Sequence, residues 1–124
     1  MIDERLTHLL LELVELNDAL ARLKVAADGA ALSDETRKWV DRFMLTRRRV
    51  ESALSAQQVL LVNSLGQPCN PDLHHVIEVV PSSQPPGTIV EVLADAYAWT
   101  VYGRMVVLRP GEVKIAGPQP PSVG

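Results

Sequence analysis

Few side chains in this 124-residue chain could do chemistry. Cys69, His74 and His75 stand close together, and all three residue types can ligate zinc. The set is incomplete. No second cysteine or nearby histidine joins it, because His8 lies far away in a helical stretch. In a strand, adjacent His74 and His75 also point to opposite faces. A thiol nucleophile built from Cys69 and His74 would lack a third group to orient the base. Ser82 and Ser83 sit in a Pro-rich loop without the Gly-x-Ser-x-Gly elbow of a serine hydrolase. Gly66, Gly87, Gly103 and Gly111 are isolated, so no phosphate-cradling loop is present. Arg47, Arg48 and Arg49 could read nucleic acid, but consecutive helix positions spread around the circumference. A solvated helix paired with an acidic neighbour is the stronger reading. The expectation is a protein with no metal, no cofactor and no enzymatic activity.

Composition agrees. Apolar residues make up 47% of the chain and aromatics only 4%, so Leu, Val and Ala must fill the core. The net charge of −3 gives no reason to expect nucleic acid or an anionic membrane as a partner. The single Cys69 excludes an internal disulfide and fits a reducing compartment. Asp3 and Glu4 stand where a secretory signal would carry positive charge. Glu12, Glu15 and Asp18 interrupt the first apolar run well short of the roughly 18 residues of a membrane span. These features predict a soluble cytoplasmic protein.

The elements that carry these residues fall into two groups. Asp3 to Ala27 has the pattern of a helix, with leucines at 6, 9, 13, 16, 20 and 23. Their alternating spacing of three and four is a heptad seam, which Leu10 and Val14 widen. Gly29 is suited to end this helix in a left-handed turn. Ser33 is an N-cap for a second helix running to about Ala56, with Asp34 and Glu35 in its first turn. Its apolar positions are Trp39, Val40, Phe43, Val50 and Leu54, and Arg47 falls on the same stripe. The short loop from Asp28 to Leu32 favours an antiparallel hairpin. Two helices bury little, and so wide a stripe needs further neighbours. A second copy of the chain supplies them as a twofold four-helix bundle. Leu6, Leu9, Leu13, Leu16, Leu20, Leu23, Phe43, Val50 and Leu54 are the expected dimer contacts. Acidic residues on the first helix and basic ones on the second could help set the pairing.

From Val59 the period changes to that of strands. Apolar runs at Val59–Val62, His74–Val80, Thr88–Leu93, Tyr97–Val101, Arg104–Leu108 and Val113–Ala116 alternate with Pro, Gly, Asn and Asp. The fourth and fifth should form a hairpin turning near Tyr102-Gly103. The expected class is α+β: a helical dimerisation hairpin over residues 1–57, a small all-β domain over 58–116 and a flexible tail over 117–124. The β part should be a compact sandwich or a partly open barrel.

The order of punctuation in the β part resembles the GrpE family, the nucleotide-exchange factors of DnaK-type chaperones. The family segment Gly-x-Pro-Phe-Asp-Pro-x-x-His-Glu-Ala is similar to Gly66-Gln67-Pro68-Cys69-Asn70-Pro71-Asp72-Leu73-His74-His75-Val76. Cys69-Asn70 replaces the family's Phe-Asp. The family's Pro-Gly-Thr-Val strand, followed by Gly-Tyr, resembles Pro86 to Leu93 followed by Ala96-Tyr97. Its closing Gly-Arg, Arg-Pro and alternating strand resemble Gly103-Arg104, Leu108-Arg109-Pro110 and Val113-Lys114-Ile115. Asp18, Leu20 and Arg22 match the family's first bundle helix. Arg42 and Gln58 stand where the family usually has Gly. The stretch from Tyr97 to Arg109 is about four residues longer than usual for the family.

This resemblance implies a co-chaperone of the stress response that dimerises through its helices. Its β domain would hold open the nucleotide-binding domain of a DnaK-type chaperone, so that ADP leaves. It implies no direct nucleotide binding. Carried over by position, Arg104 resembles the β-domain arginine that reaches the chaperone, with Arg109 as the fallback. Leu93 and Ile115 lie where the family places apolar contacts. The family's long N-terminal paired helix, linked there to temperature sensing and substrate release, has no counterpart before the first helix. An alternative is a GrpE-derived dimeric scaffold or adaptor that binds a protein partner without exchanging nucleotide.

Overall fold

The computed structural model describes residues 3–118 and divides the chain between Gln58 and Val59 into two units. The first is a helical hairpin. Helix α1 spans Glu4–Asp28, and Asp3 caps it by accepting the Arg5 N–H at 2.8 Å. Helix α2 spans Asp34–Ala56, and Ser33 Oγ accepts the Thr36 N–H at 3.2 Å. Each cap satisfies an amide that the first helical turn leaves unbonded.

Gly29 does not take the left-handed conformation. Its φ is −88° and its N–H bonds back to Val25 and Ala27, so the last turn tightens without a reversal of hand. The residue that does reverse is Gln58, beyond the C-cap of α2, at φ 64°. It stands where glycine would fit with less strain.

The hairpin buries Leu10, Val14, Asn17, Leu20 and Ala27 of α1, and Val40, Val50 and Leu54 of α2. This stripe lies beside the leucine seam rather than along it. Leu9, Leu16 and Leu23, one heptad apart, remain exposed, and so do Trp39 and Phe43. Leu6 and Leu13 are half-buried. Leu20, Val50 and Leu54, which spacing places in the dimer seam, already spend their apolar surface within one protomer.

The second unit holds six strands: β1 Val59–Val62, β2 His74–Val80, β3 Ile89–Ala94, β4 Ala96–Val101, β5 Arg104–Arg109 and β6 Gly111–Ala116. They form two three-stranded sheets with orders β1-β4-β5 and β2-β6-β3. Most pairs are antiparallel; β2 and β6 run parallel. The strand bounds differ slightly from the periodicity. Thr88 is spent in a turn, its N–H bonding to Pro85 O, so β3 starts at Ile89. β6 begins early, at Gly111, because that N–H bonds to Leu73 O. A Cβ at Gly111 would lie 3.0 Å from both Ala94 O and Ala96 N, so close passage of the backbone explains the glycine.

The core of this unit is Val59, Ile89, Ala96, Tyr97, Ala98, Trp99, Leu108, Val113 and Ala116. Four consecutive residues of β4 are buried, so both faces of that strand are covered. Three of the four edge strands are blunted. β1 has only four residues, β2 is interrupted at Ile77, and β3 is interrupted twice. Such interruptions discourage pairing with another sheet.

Candidate functional site

The loop between β1 and β2 collects most of the residues that could do chemistry. Asn70 O accepts the N–H groups of Leu73 and His74 at 2.9 and 2.8 Å, while Asn70 Oδ1 accepts the Asp72 N–H at 2.9 Å. This tight turn brings the His74 ring back over the Asn70 backbone. The Asn70 N–H donates to His74 Nδ1 at 3.0 Å, and His74 Nε2 lies 2.8 Å from Ser64 Oγ. Ser64 and His74 are both buried.

A buried serine beside a histidine invites a hydrolase reading, and sequence spacing did not suggest this pair. The hydrogen bonds argue against it. Because Nδ1 accepts a backbone N–H, the neutral ring carries its proton on Nε2 and donates it to Ser64 Oγ. A general base needs a free lone pair at that position. Ser64 Oγ in turn donates to Val62 O at 3.3 Å. The network therefore closes the loop instead of activating a nucleophile. Cys69 is half-exposed, its N–H bonds to Gly87 O at 2.9 Å, and His74's ring nitrogens are already engaged. His75 points away and is exposed. Among the described residues no cluster of three or more His, Cys, Asp or Glu could hold a metal ion.

The same loop is tied down along its length. Gly66 N–H bonds to Ile89 O, Ile89 N–H to Gln67 O, and Gly87 N–H to Ala116 O, each at 2.9 Å. The Gly-x-Pro and Pro-Gly-Thr segments thus lace β3 and β6 to the loop, which gives both motifs a structural reason.

The β4–β5 hairpin presents the expected binding arginine. Val101 pairs with Arg104 across a two-residue loop, Tyr102-Gly103, with φ of 51° and 75°. Positive φ at both positions matches the right-handed twist of the strands. Arg104 is exposed, and among the described residues no carboxylate pairs with it. Arg109 is placed differently. Its Nη2 and Nε donate to Asp95 O at 2.6 and 3.2 Å, and its guanidinium lies 5.3 Å from the Tyr97 ring centre. It clamps the corner between β3 and β4. Leu93 is exposed on β3, and Ile115 is half-buried on β6. On the same sheet Lys114 bridges Glu91 at 3.2 Å and Glu78 at 3.3 Å, and these carboxylates, Glu91 first, hold its ammonium above the ordinary lysine range.

In the helical unit Leu9, Leu16, Leu23, Trp39 and Phe43 are exposed on one side, while Val25 and Leu45 are exposed elsewhere. At about 100° per residue, Leu9, Leu16 and Leu23 lie roughly a quarter turn from the buried stripe of α1. Trp39 and Phe43 are displaced in the same sense from that of α2, by a smaller angle of about 40°. In an antiparallel pair these two offsets point the same way, so the five residues make one apolar side of the hairpin. Arg42 borders it, its guanidinium 4.9 Å from the Trp39 ring centre. Trp39 was legible as apolar in sequence, but only packing distinguishes it from Val40.

A hairpin with an open apolar side, joined to a small two-sheet β unit, defines a two-part α+β protein. The comparisons specify which kind. The family model of GrpE matches residues 1–117. The chain is 41% identical over 75 residues to Protein GrpE of Burkholderia thailandensis, covering 60% of this chain and 40% of that protein. It is 40% identical over 75 residues to Protein GrpE of Burkholderia cenocepacia, covering 60% and 39%. Against Protein GrpE of Burkholderia mallei it is 41% identical over 75 residues, covering 60% and 38%. The chain therefore belongs to the GrpE family. It spans about two-fifths of the length of the curated relatives it matches. Among the described residues no helix is long and apolar enough to cross a membrane.

Proposed function

We propose that this chain is a GrpE-type co-chaperone that binds the nucleotide-binding domain of a DnaK-type chaperone and promotes ADP release. The observation that carries the reading is the β4–β5 hairpin, which presents an exposed and unengaged Arg104 in a chain of this family. A guanidinium can bind a carboxylate through two parallel hydrogen bonds, which holds a partner domain at a fixed angle. Exposed Leu93 and half-buried Ile115 add apolar contact. Arg109 is already committed to Asp95 O, which favours Arg104 for this role.

The mechanism needs no covalent step. The β unit binds the open chaperone cleft more tightly than the closed one, and that difference shifts the population. Moving an equilibrium from 1:99 to 99:1 takes a ~10⁴-fold preference, about 5.5 kcal/mol. By linkage, nucleotide that favours the closed cleft expels the factor.

Residues 1–57 act as the dimerisation unit and 58–116 as the binding unit. The open side formed by Leu9, Leu16, Leu23, Trp39 and Phe43 packs against the same side of a second copy, giving a four-helix bundle. The protein works in the cytoplasm, where its chaperone resides.

The test is the rate at which a DnaK-type chaperone releases labelled ADP. The expected result is acceleration by micromolar protein. No acceleration and no binding in a pull-down rejects the reading. Binding without acceleration supports a dimeric adaptor instead.

A further inference from the structure

The β4–β5 hairpin has a second unusual residue at its tip. Tyr102 is 85% exposed and sits at φ 51°. The two central positions of such a turn favour Asn, Asp and Gly, because a Cβ crowds the backbone there. Gly103 fits that demand, and Tyr102 does not. Its ring gains no burial in return, and among the described residues its hydroxyl makes no hydrogen bond. A strained residue that the fold does not reward points to a use outside the fold.

Its neighbours suggest the use. Arg104 is exposed and Met105 is 67% exposed. An aromatic ring and a guanidinium therefore stand exposed at the hairpin end, with the Met105 thioether exposed on the opposite face of the strand. These are the side chains enriched in protein–protein interfaces, and Tyr and Arg recur among the residues that dominate binding energy. A tyrosine has only two side-chain torsions to immobilise, so docking it costs little entropy. Thr100 to Met105 contains one basic residue and no acid, so its complement is acidic.

We propose that Tyr102 is an aromatic anchor of the chaperone interface. Its ring enters an apolar pocket on the nucleotide-binding domain, and Arg104 pairs with a carboxylate on the rim of that pocket. This inference rests on the reading of Arg104 as a chaperone contact.

The test compares wild type, Tyr102→Asn, Tyr102→Phe and Arg104→Ala by titration calorimetry against a DnaK-type chaperone, with thermal unfolding of each. Asn accepts the left-handed position, so Tyr102→Asn should raise the unfolding midpoint while weakening binding by about tenfold or more. Tyr102→Phe should keep most of the affinity, since the ring supplies the buried area. A purely structural residue could not move stability and affinity in opposite directions. If Tyr102→Asn binds like wild type while Arg104→Ala binds weakly, the anchor is rejected and the Arg104 reading stands. If Tyr102→Asn loses affinity and stability together, the anchor is also rejected. If wild type does not bind, both readings fall.

Discussion

The Nδ1 atom of His74 takes a hydrogen bond from the Asn70 backbone, which commits the ring proton to Nε2 and the ring to Ser64 Oγ. One amide thus decides that the buried Ser–His pair is a staple and not a catalytic dyad. Ser64→Ala would leave the Nε2–H without its acceptor, at a cost of about 1–3 kcal/mol in urea unfolding. Arg104 and Arg109 show the opposite lesson, since the same side chain has two fates. Arg104→Ala should weaken chaperone binding, measured by calorimetry, and leave the thermal midpoint unchanged. Arg109→Ala should lower the midpoint, because it removes the clamp on Asp95 O and the ring contact with Tyr97. An unchanged affinity in Arg104→Ala would move the binding role elsewhere on the β unit.

Among the elements, the helical hairpin places most of its apolar residues in two stripes. One is consumed within the protomer, and the other stays open. This division identifies the informative substitutions. Leu9→Glu with Leu16→Glu places charge on the open side and should convert a dimer to a monomer in sedimentation while helicity persists. A monomeric wild type would refute the bundle. Leu10→Ala instead empties a site that is 1% exposed, and should cost about 2–5 kcal/mol in chemical unfolding. The end of α2 offers a gain. Gln58 holds φ 64°, and Gln58→Gly should raise stability by roughly 0.5–1 kcal/mol in the same measurement.

At the scale of the whole molecule, pH should act on the two units from opposite ends. The hydrogen bond from Lys24, with the charges of Lys24 and Arg37, holds the Asp28 carboxyl below its ordinary 3.8. Its folded-state pKa is depressed, so its contribution is present above 3.8 and is lost as pH falls through the lowered value. Lys114 is held above its ordinary 10.5 by Glu91 and Glu78. Its contribution is present below 10.5 and is lost as pH rises through the raised value. Asp28 is exposed and Lys114 half-exposed, so the effects are small and screened by salt. Asp28→Asn should flatten the acid limb of a denaturation-against-pH profile, and Lys114→Met the alkaline limb. Equal effects of either variant at both limbs would contradict these pairings.

Periodicity alone located both helices and all six strands, because the leucine spacing and the Pro/Gly/Asn punctuation are local and each has one geometric meaning. Ser33 was legible as a cap for the same reason. The match of Gly66, Pro68, Pro71, His74, Gly87 and Pro110 to one family order was also a property of the chain itself. Tertiary structure decided what spacing leaves open. It set which leucines face the partner helix and which stay bare, since a stripe with Leu on both flanks has no unique inward direction until the hairpin closes. It paired β2 with β6 in parallel across more than thirty residues of chain, a contact no local pattern encodes. It also separated Arg104 from Arg109 by the position of one carbonyl, Asp95 O, which comes into range only when β3, β4 and β5 assemble.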